Sequence, residues 1–531
     1  MILFIIALLC MLIYTVFDLK KAFHMLQQNW YNDGNRYLKW INNNSKFVFV
    51  WFDYLYLFIA ILGYFIANQI LSVIVIVYYL LLTYLLLRRY KHEQVKKPLA
   101  FTSRIKRMCI TIFILYLIPI LTICLTFNQQ FIYIYYFIIG SLIYFNYYIV
   151  YLANIINKPV EKLVYLYYKS KANKKLKTLN HMKVIAVTGS YGKTSTKNIV
   201  SDILNVKYIA FPTPQNFNTN YGLIRTINEY IDKYNDYFVA ELGAFRRGDI
   251  KSRASIVKPK YGILTKIGTA HLDTFGSLEN TTKAKFELIE SLPENGVAFL
   301  NIDDELQVNY HLKNKVKVVW YGLNSNADVY ASDIKYSSNG MNFKVHFKND
   351  KETYDFKTKL LGEANVYNIL AGIAVGKELG LSIIELQRGV LQIKPIEHRL
   401  QIKKYGRITY IDDAYNSNPV GSKMALDVLK LMPGKKIIIT PGMIEMGDKQ
   451  YEVNYNFGQF IASSVDLAIL VGIEQTKPIQ KGLLDANFNK DNLIVLNDVK
   501  EAISIAQNYF LNDETYILLE NDLPDIFNEK N

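Results

Sequence analysis

The chain has 531 residues and a formal net charge of +15, with 51% hydrophobic and 20% charged residues. This length predicts about three domains at ~150 residues each. Its basic residues concentrate beside long apolar stretches, which favours anionic lipid headgroups over nucleic acid as their partner. All three cysteines, Cys10, Cys109 and Cys124, lie within these stretches, so the remainder has none for a disulfide or a zinc site.

Five apolar stretches lie within residues 1–152, at roughly 2–17, 47–66, 70–87, 108–127 and 131–152. A helix needs ~20 mainly apolar residues to cross ~30 Å of hydrocarbon, so we predict a transmembrane domain of about five helices over 1–152. The strongly basic segment 88–107 is then cytoplasmic. Five spans also place everything after residue 152 in the cytoplasm, which predicts a multi-pass protein of the plasma membrane.

Two polar residues inside the apolar stretches, Asp53 and Asn146, are candidates for contact with a lipid headgroup. Asp53 lies near the end of its stretch, where solvation at the interface is the alternative explanation. Residues 153–181 form a basic juxtamembrane linker that mixes lysines with an apolar stripe. This pattern fits a helix on the membrane surface and a solvated linker helix equally well.

From Met182 onward, short apolar runs ending in glycine alternate with segments of helical spacing, which predicts parallel sheets covered on both faces. We therefore predict a central P-loop α/β domain over 182–395 and a Rossmann-like, doubly wound α/β domain over 396–531. Alternating stretches between Gly296 and Lys359, among them VKVVWYG and MNFKVHF, predict an antiparallel β insertion in the central domain.

The most informative motif is TGSYGKTS at Thr188–Ser195, between an apolar strand and a helix. Glycines let such a loop curl its N–H groups around phosphate, the Lys193 ammonium can reach terminal phosphates, and the Thr194 hydroxyl can bind Mg²⁺. The general spacing would place a glycine where this chain has Val187, but the strand–loop–helix context favours a nucleotide loop. The predicted nucleotide-binding residues of the loop are Gly189, Ser190, Gly192, Lys193, Thr194 and Ser195.

The shorter spacing of this loop resembles the Mur ligase family, whose loop reads T-G-x-x-G-K-[ST]. Further stretches match that family in order, and together they cover about residues 182–450. They are Glu241 in VAELGA, Thr265–Lys285, GEANVYN at Gly362–Asn368, Glu397-His398-Arg399 and Asp412–Pro419. The wording AHLDTFGSL around His271 is most similar to the MurF branch, which adds D-alanyl-D-alanine to a UDP-linked muramoyl tripeptide.

This resemblance implies an ATP- and Mg²⁺-dependent ligase that activates a carboxylate as an acyl phosphate, which an amine then attacks to form an amide. It implies a phosphate-binding role for Lys193, Mg²⁺ ligands at Thr194, Glu241 and His271, and a further ligand at Lys285 once that lysine carries a carbamate. Lys283 lies close enough to be confused with Lys285. The position of Lys285 before Phe286 fits the family better.

The resemblance also implies that Asn365 and Asn368 meet the adenine, and their spacing places them on one helix face. Arg399 would bind phosphate, and Asp413 would bind the ribose or its metal. An asparagine-rich loop would lie near the acyl acceptor, although its composition alone predicts only a turn. The asparagines of that loop are Asn216, Asn218 and Asn220.

Two departures from the family leave the substrate open. Apolar stretches stand where the family has a domain for the UDP-linked sugar, and the last strand TYILLE is followed by Asn521–Pro524 where the family usually has Lys-Gly-Ser. The implied partners are a peptidyl cell-wall precursor, UDP-linked or lipid-linked, and an amino acid or dipeptide amine. The alternatives are a ligase for another amide on a lipid-linked or polymeric substrate, such as polyglutamate, and a non-catalytic nucleotide-binding scaffold.

Overall fold

The computed structural model describes residues 2–91, 98–270, 272–337, 340–395, 398–414, 418–444 and 446–522. These residues form two compact units, of which the first extends to Leu166 and the second begins at Tyr167. The boundary lies inside one helix, and each unit has its own packed interior.

The first unit is helical. Its 3₁₀ turns lie at Trp30–Asn35, Trp51–Tyr54 and Gln129–Phe131. Its helices are α1 (Ile2–Gln28), α2 (Arg36–Asn43), α3 (Ser45–Val48), α4 (Leu55–Leu62), α5 (Asn68–Lys91), α6 (Ser103–Leu125), α7 (Ile132–Tyr144), α8 (Asn146–Ile156) and the beginning of α9 (Lys158–Thr178).

Three described helices, α1, α5 and α6, are long and apolar enough to cross a membrane. Helices α7 and α8 qualify as a fourth span only as a pair that bends by 69° at Phe145. Many large apolar side chains of these helices are exposed on the outside of the unit, Leu9, Ile110 and Phe113 among them. Such outward-facing side chains suit a surface in contact with lipid.

The prediction of a continuous span over 47–66 is wrong. Helix α3 ends at Val48, and the only apolar helix in this stretch is the short one at Phe52–Leu62. The Asp53 carboxylate accepts a hydrogen bond from Val50 N at 3.2 Å, and the Tyr78 hydroxyl donates to the carbonyls of Phe52 and Asp53 at 2.9 and 3.2 Å. These bonds stabilise a turn that a pattern of hydrophobicity could not predict.

The segment from Val50 to Gly63 nevertheless runs antiparallel to α5. Its start is bonded to Tyr78, in the middle of α5, and Gly63 at its end faces Leu71, in the first turn of α5.

The second unit contains two sheets. The first has the order β2-β3-β1-β4-β5-β6-β7-β8-β9. Its strands are β1 (Lys183–Thr188), β2 (Ala210–Pro212), β3 (Tyr237–Glu241), β4 (Tyr261–Leu264), β5 (Val297–Asn301), β6 (Lys317–Gly322), β7 (Val329–Ser337), β8 (Gly340–Phe347) and β9 (Thr353–Thr358). Its helices are α10 (Lys193–Leu204), α11 (Asn220–Glu229), α12 (Asp249–Val257), α13 (Leu272–Phe275), α14 (Leu278–Glu290), α15 (Glu305–Val308), α16 (Glu363–Glu378) and α17 (Ile383–Gln392).

Strands β1 to β6 pair in parallel, and their nearly continuous apolar sequences suit strands that are covered on both faces. The predicted antiparallel insertion is confirmed for β8, which pairs antiparallel with β7 and β9. It is wrong for β6, the stretch VKVVWYG, which pairs parallel to β5. Alternation of side chains cannot distinguish the two directions, because both kinds of strand have a period of two.

The second sheet has the order β10-β11-β15-β12-β13-β14, with only β10 antiparallel. Its strands are β10 (Gln401–Tyr405), β11 (Ile408–Asp413), β12 (Lys435–Thr440), β13 (Leu467–Val471), β14 (Leu493–Leu496) and β15 (Thr515–Glu520). Its helices are α18 (Pro419–Lys430), α19 (Gln450–Ala462), α20 (Lys477–Asp485) and α21 (Val499–Tyr509).

Helices cover both faces of this sheet, as predicted for a doubly wound domain. Side chains of α18, α19 and α20 pack with Ile438 on one face, whereas α21 packs with Ile437 and Ile439 on the other. The chain returns through α21 to insert β15 between β11 and β12.

Candidate functional site

The loop between β1 and α10 has the backbone of a phosphate-binding turn. Gly189 (φ 152°) and Gly192 (φ 80°) take conformations that favour glycine. A Cβ would lie 1.9 Å from Thr265 Oγ1 at the first position and 2.7 Å from Asn368 Oδ1 at the second. Helix α10 begins at Lys193, and the first N–H groups of a helix have no partner within it and can bind an anion. The two glycines are therefore required by this geometry.

The loop is held against the end of β4. Ser190 N and Tyr191 N donate to Lys266 O at 2.9 and 3.2 Å, and the Ser190 hydroxyl donates to Gly268 O at 3.0 Å. Ser195, on the first turn of α10, is buried. The loop is thus a fixed structure rather than a chance turn.

Glu241, at the end of β3, is the centre of a buried polar network and is 1% exposed. Its Oε2 accepts hydrogen bonds from Thr194 Oγ1 and Lys197 Nζ, each at 3.0 Å, and its Oε1 accepts one from Asn218 Nδ2 at 3.0 Å. Burial would raise the pKa of Glu241, but Lys197, Lys193 and Asn218 outweigh it and hold the pKa below its ordinary value. The carboxylate is therefore ionised at neutral pH.

Lys193 lies above the loop, where its Nζ donates to Ser190 O at 2.9 Å. Burial lowers the pKa of Lys193 to about 8, with a further lowering by Arg399 and an opposite influence from Glu241. A partly desolvated ammonium at a helix N-terminus is suited to bind an anion, because the surroundings supply little competing water.

Thr194 and Glu241 have a spacing that fits Mg²⁺. Adjacent ligands of an octahedral Mg²⁺ are about 3 Å apart, since each lies about 2.1 Å from the ion. The Thr194 Oγ1 to Glu241 Oε2 distance is 3.0 Å. Among the described residues no three His, Cys, Asp or Glu side chains form a metal cluster. Mg²⁺ takes few protein ligands and completes its shell with water and phosphate.

Lys285 and Lys283 on α14 have opposite environments. Lys285 is 2% exposed, with its Nζ 5.3 Å from the centre of the Phe275 ring. Burial, Lys193 and Arg253 lower the pKa of Lys285 well below its ordinary value, despite two nearby carboxylates. The Lys283 ammonium is instead exposed and pairs with a carboxylate on the same helix at 2.5 Å. The lowered pKa of Lys285 favours the neutral amine that addition of carbon dioxide requires.

Asn365 and Asn368 lie on one face of α16, as their spacing predicts. Asn368 Nδ2 donates to Asn365 Oδ1 at 3.2 Å, and Thr196 Oγ1 donates to Asn368 Oδ1 at 3.0 Å. Both asparagines are buried, and Asn368 lies beside the loop at Gly192.

The three asparagines of the predicted substrate loop have different surroundings. Asn218 turns inward to Glu241, and Asn220 Nδ2 donates to Ser252 Oγ at 3.0 Å. Asn216 is exposed. The loop therefore contacts the predicted metal site through Asn218, and Asn216 is the member that faces solvent.

Asp413 ends strand β11 of the second sheet, and Arg399 lies just before strand β10. The charge of Arg399 influences both Lys193 in the nucleotide loop and Glu520 at the end of β15. Asp413, 1% exposed, accepts a hydrogen bond from Leu400 N at 3.0 Å and lies beside Glu520. Arg399 is thus near the predicted phosphate site, and Asp413 lies beside Glu520.

Lys197 belongs to the site but is absent from the prediction. It is 1% exposed and bonds the Glu241 carboxylate and Gln215 O. Its position four residues after Lys193 places both lysines on one face of α10, and this spacing is the signal that could have identified it. His271, the predicted metal ligand, lies outside the described residues.

Two regions of the chain match known protein families, and each lies within one of the two predicted α/β domains. Residues 187–376 match the Mur ligase middle domain, and residues 398–520 match the Mur ligase, glutamate ligase domain. The UDP-N-acetylmuramoyl-tripeptide--D-alanyl-D-alanine ligase of Escherichia coli K12 is 31% identical over 294 residues, covering 55% of this chain and 64% of the relative. That of Bacillus subtilis 168 is 32% identical over 331 residues, covering 61% and 70%.

A solved structure, MurF from Acinetobacter baumannii, superposes with a TM-score of 0.62 and 26% identity over 67% of this chain and 77% of that one. The chain therefore spans slightly less than two thirds of the E. coli relative and somewhat more of the other two.

Proposed function

This chain belongs to the Mur ligase family, and we propose that it is an ATP-dependent ligase that joins a carboxylate to an amine. We infer that the carboxylate belongs to a peptidyl cell-wall precursor and that the amine is an amino acid or a dipeptide. D-alanyl-D-alanine is the first candidate, because the Escherichia coli and Bacillus subtilis relatives are both D-alanyl-D-alanine ligases. ATP and Mg²⁺ are the proposed cofactors.

The observation that carries this proposal is the cluster of Lys193, Thr194 and Glu241 beside a glycine loop at a helix N-terminus. Such a cluster holds phosphate by cations and N–H groups and offers oxygen ligands to a divalent ion. A non-catalytic scaffold would not need a buried lysine with a lowered pKa, such as Lys285, as well. The geometry therefore supports chemistry on a nucleotide rather than nucleotide binding alone.

Each residue has a role in the proposed reaction, in which ATP, a carboxylate and an amine become ADP, phosphate and an amide. Lys193 would bind the terminal phosphates, and Arg399 would approach them from the second sheet. Thr194 and Glu241 would hold Mg²⁺, with His271 and a carbamate on Lys285 as further ligands. Bound Mg²⁺ would neutralise phosphate charge.

The positive neighbours of Lys285 support the carbamate. A buried neutral lysine can gain a negative carbamate, and Lys193 and Arg253 would then compensate the new charge. Lys197 keeps Glu241 ionised and oriented toward Thr194. We infer that Lys197 is a positioning residue for the metal site.

The apolar helices of the first unit support a multi-pass location in the plasma membrane, with the two α/β sheets in the cytoplasm. A ligase so located could accept a carboxylate presented on a lipid carrier as well as a UDP-linked one. The lipid-linked acceptor is our second candidate because the chain has these helices in addition to the two regions that match the family.

The test is phosphate release from ATP and Mg²⁺ by the full chain in detergent, with UDP-linked or lipid-linked muramoyl peptides and several amines. Release that requires both a muramoyl peptide and D-alanyl-D-alanine would support the first candidate. Release only with a lipid-linked acceptor would support the second. Absence of release with every pair would contradict the ligase proposal.

A further inference from the structure

The segment His398–Leu400, which leads into β10, has a left-handed backbone on both sides of Arg399. His398 has a φ of 58° and Leu400 has a φ of 50°. This conformation is uncommon for residues that have a Cβ, and more so for a bulky residue such as leucine. Such residues persist where surrounding contacts enforce their backbone, and they concentrate at functional sites. The contacts that hold this segment therefore require an explanation.

Two consecutive carboxylates at the end of β11 hold the segment. Asp412 Oδ2 accepts a hydrogen bond from His398 Nδ1 at 2.8 Å, and Asp413 Oδ1 accepts one from Leu400 N at 3.0 Å. Successive side chains of a strand point to opposite faces, which allows the two carboxylates to bond different residues of the segment. Each left-handed residue thus has its own aspartate, and Arg399 lies between the two contacts.

Asp412 is itself fixed to the second sheet. Its Oδ2 also accepts a hydrogen bond from Lys403 Nζ on β10 at 2.8 Å, and the residue is 5% exposed. Its partner in the pairing of β10 with β11 is Gln401, the residue that follows the segment. Hydrogen bonds to a charged acceptor are among the stronger ones, and a buried carboxylate is costly to leave without them. The contact with His398 is therefore a stable link between the segment and the sheet.

The charge of Arg399 lies near the nucleotide loop. Burial is the main cause of the lowered pKa of Lys193, and the charge of Arg399 adds to it. Two cations so placed suit a polyphosphate, and an arginine binds phosphate through a planar fork of N–H groups whose direction matters. A long side chain loses conformational freedom when it binds, and a backbone that is already held on both sides reduces this loss.

We propose that the contacts of His398 with Asp412 and of Leu400 with Asp413 aim Arg399 at the phosphates of a nucleotide bound in the loop between β1 and α10. His398 and Asp412 are thus positioning residues that act through Arg399, and neither has another role in the proposed reaction. The inference rests on the proposed function in one respect, that the loop binds ATP. It does not depend on which carboxylate and amine are joined.

The test measures binding of the ATP analogue AMPPNP with Mg²⁺ to the full chain in detergent by calorimetry. Asp412→Ala and His398→Ala should each weaken binding about ten-fold, the effect of losing one charge-assisted hydrogen bond. His398→Asn should bind within about three-fold of wild type, because the asparagine amide nitrogen lies as many bonds from Cα as Nδ1 does and asparagine tolerates a left-handed backbone. Glu514→Ala is the matched control and should bind as wild type does, since it removes an exposed carboxylate that pairs with Lys404 on β10.

Arg399→Ala distinguishes a positioning role from a structural one. If Asp412 acts through the arginine, Asp412→Ala should weaken binding by less than about two-fold when Arg399→Ala is already present, because the two changes remove one shared interaction. His398→Ala takes the place of Asp412→Ala in this cycle if the latter lowers the thermal unfolding midpoint. Equal losses with and without Arg399, or binding as in wild type by both single variants, would overturn the proposal.

Phosphate release is measured in parallel, which separates this proposal from the ligase activity. The expected pattern of AMPPNP binding without release from ATP for any pair of substrates would contradict the ligase and still support the positioning role. Absence of AMPPNP binding by the wild type would overturn both.

Discussion

Glu241 and Glu520 end parallel strands of the two sheets, β3 and β15, and both are 1% exposed, yet the pKa values of their carboxyls shift in opposite directions. Lys197 and Lys193 overcome the effect of burial and lower the pKa of Glu241. Burial and the adjacent Asp413 raise the pKa of Glu520 well above its ordinary value. Glu520 is bonded by the Ser422 hydroxyl rather than by a lysine.

The difference shows that position at a strand end does not assign a role to a carboxylate. Neighbouring charge does, because a buried acid stays ionised only where cations or donors compensate its desolvation. Glu241 therefore has the charge that a divalent ion needs, whereas Glu520 retains its proton to higher pH. The predictions below test this contrast.

The largest effect is expected for Lys193→Ala. Loss of the ammonium that faces the nucleotide loop should reduce ATP-dependent phosphate release about 1,000-fold, with membrane insertion intact. Ser422→Ala, which alters the surroundings of Glu520, is the control and should retain release within about three-fold. Unchanged release in Lys193→Ala would remove the loop from the mechanism.

Lys197→Met should destabilise the second unit by about 3 kcal/mol, because it leaves Glu241 buried with less compensation. Ser422→Ala should cost only about 1 kcal/mol, the usual value of one hydrogen bond. The free energies of unfolding in urea provide the comparison. Equal losses in the two variants would show that Lys197 is no more important to Glu241 than a hydroxyl is to Glu520.

Lys285→Met should lower phosphate release about 100-fold, the effect of removing one preorganised charged group. Lys283→Met is the matched control on the same helix. It removes an exposed pair with Glu279, should change stability little and should leave release within about two-fold. A larger loss of release in Lys283→Met than in Lys285→Met would reverse the assignment.

The smallest effects concern pH. Since the folded pKa of Glu241 is depressed, its contribution to stability is present above the ordinary glutamate pKa and is lost as pH falls through the folded value. Since that of Glu520 is raised, its contribution is present below the ordinary pKa and is lost as pH rises through the folded value. The free energy of unfolding is measured for wild type, Glu241→Gln and Glu520→Gln from about pH 4 to 9. Relative to wild type, Glu241→Gln should lose a rise of stability with pH, and Glu520→Gln should lose a fall of stability with pH. Parallel curves would contradict the contrast.

The nucleotide loop and most strands were predictable because their signals are local. An apolar run that ends in glycine and precedes a helical pattern specifies a strand, a turn and a helix within about 20 residues. The choice of Lys285 over Lys283 rested on resemblance, and their opposite burial now favours it on physical grounds. The roles of Asn365, Asn368, Arg399 and Asp413 remain predictions.

Other features depended on contacts between distant parts of the chain. Lys197 and Glu241 are 44 positions apart in sequence, and the pairing of β6 with β5 depends on how the intervening chain crosses. The stretch 47–66 is apolar enough for a span, yet Asp53, Val50 and Tyr78 interrupt it. Composition and spacing thus determined most of the helices, strands and loops, with the interruption of 47–66 as an exception. Only the tertiary structure decided which charges meet, because the protonation of a buried group depends on neighbours that the fold brings together.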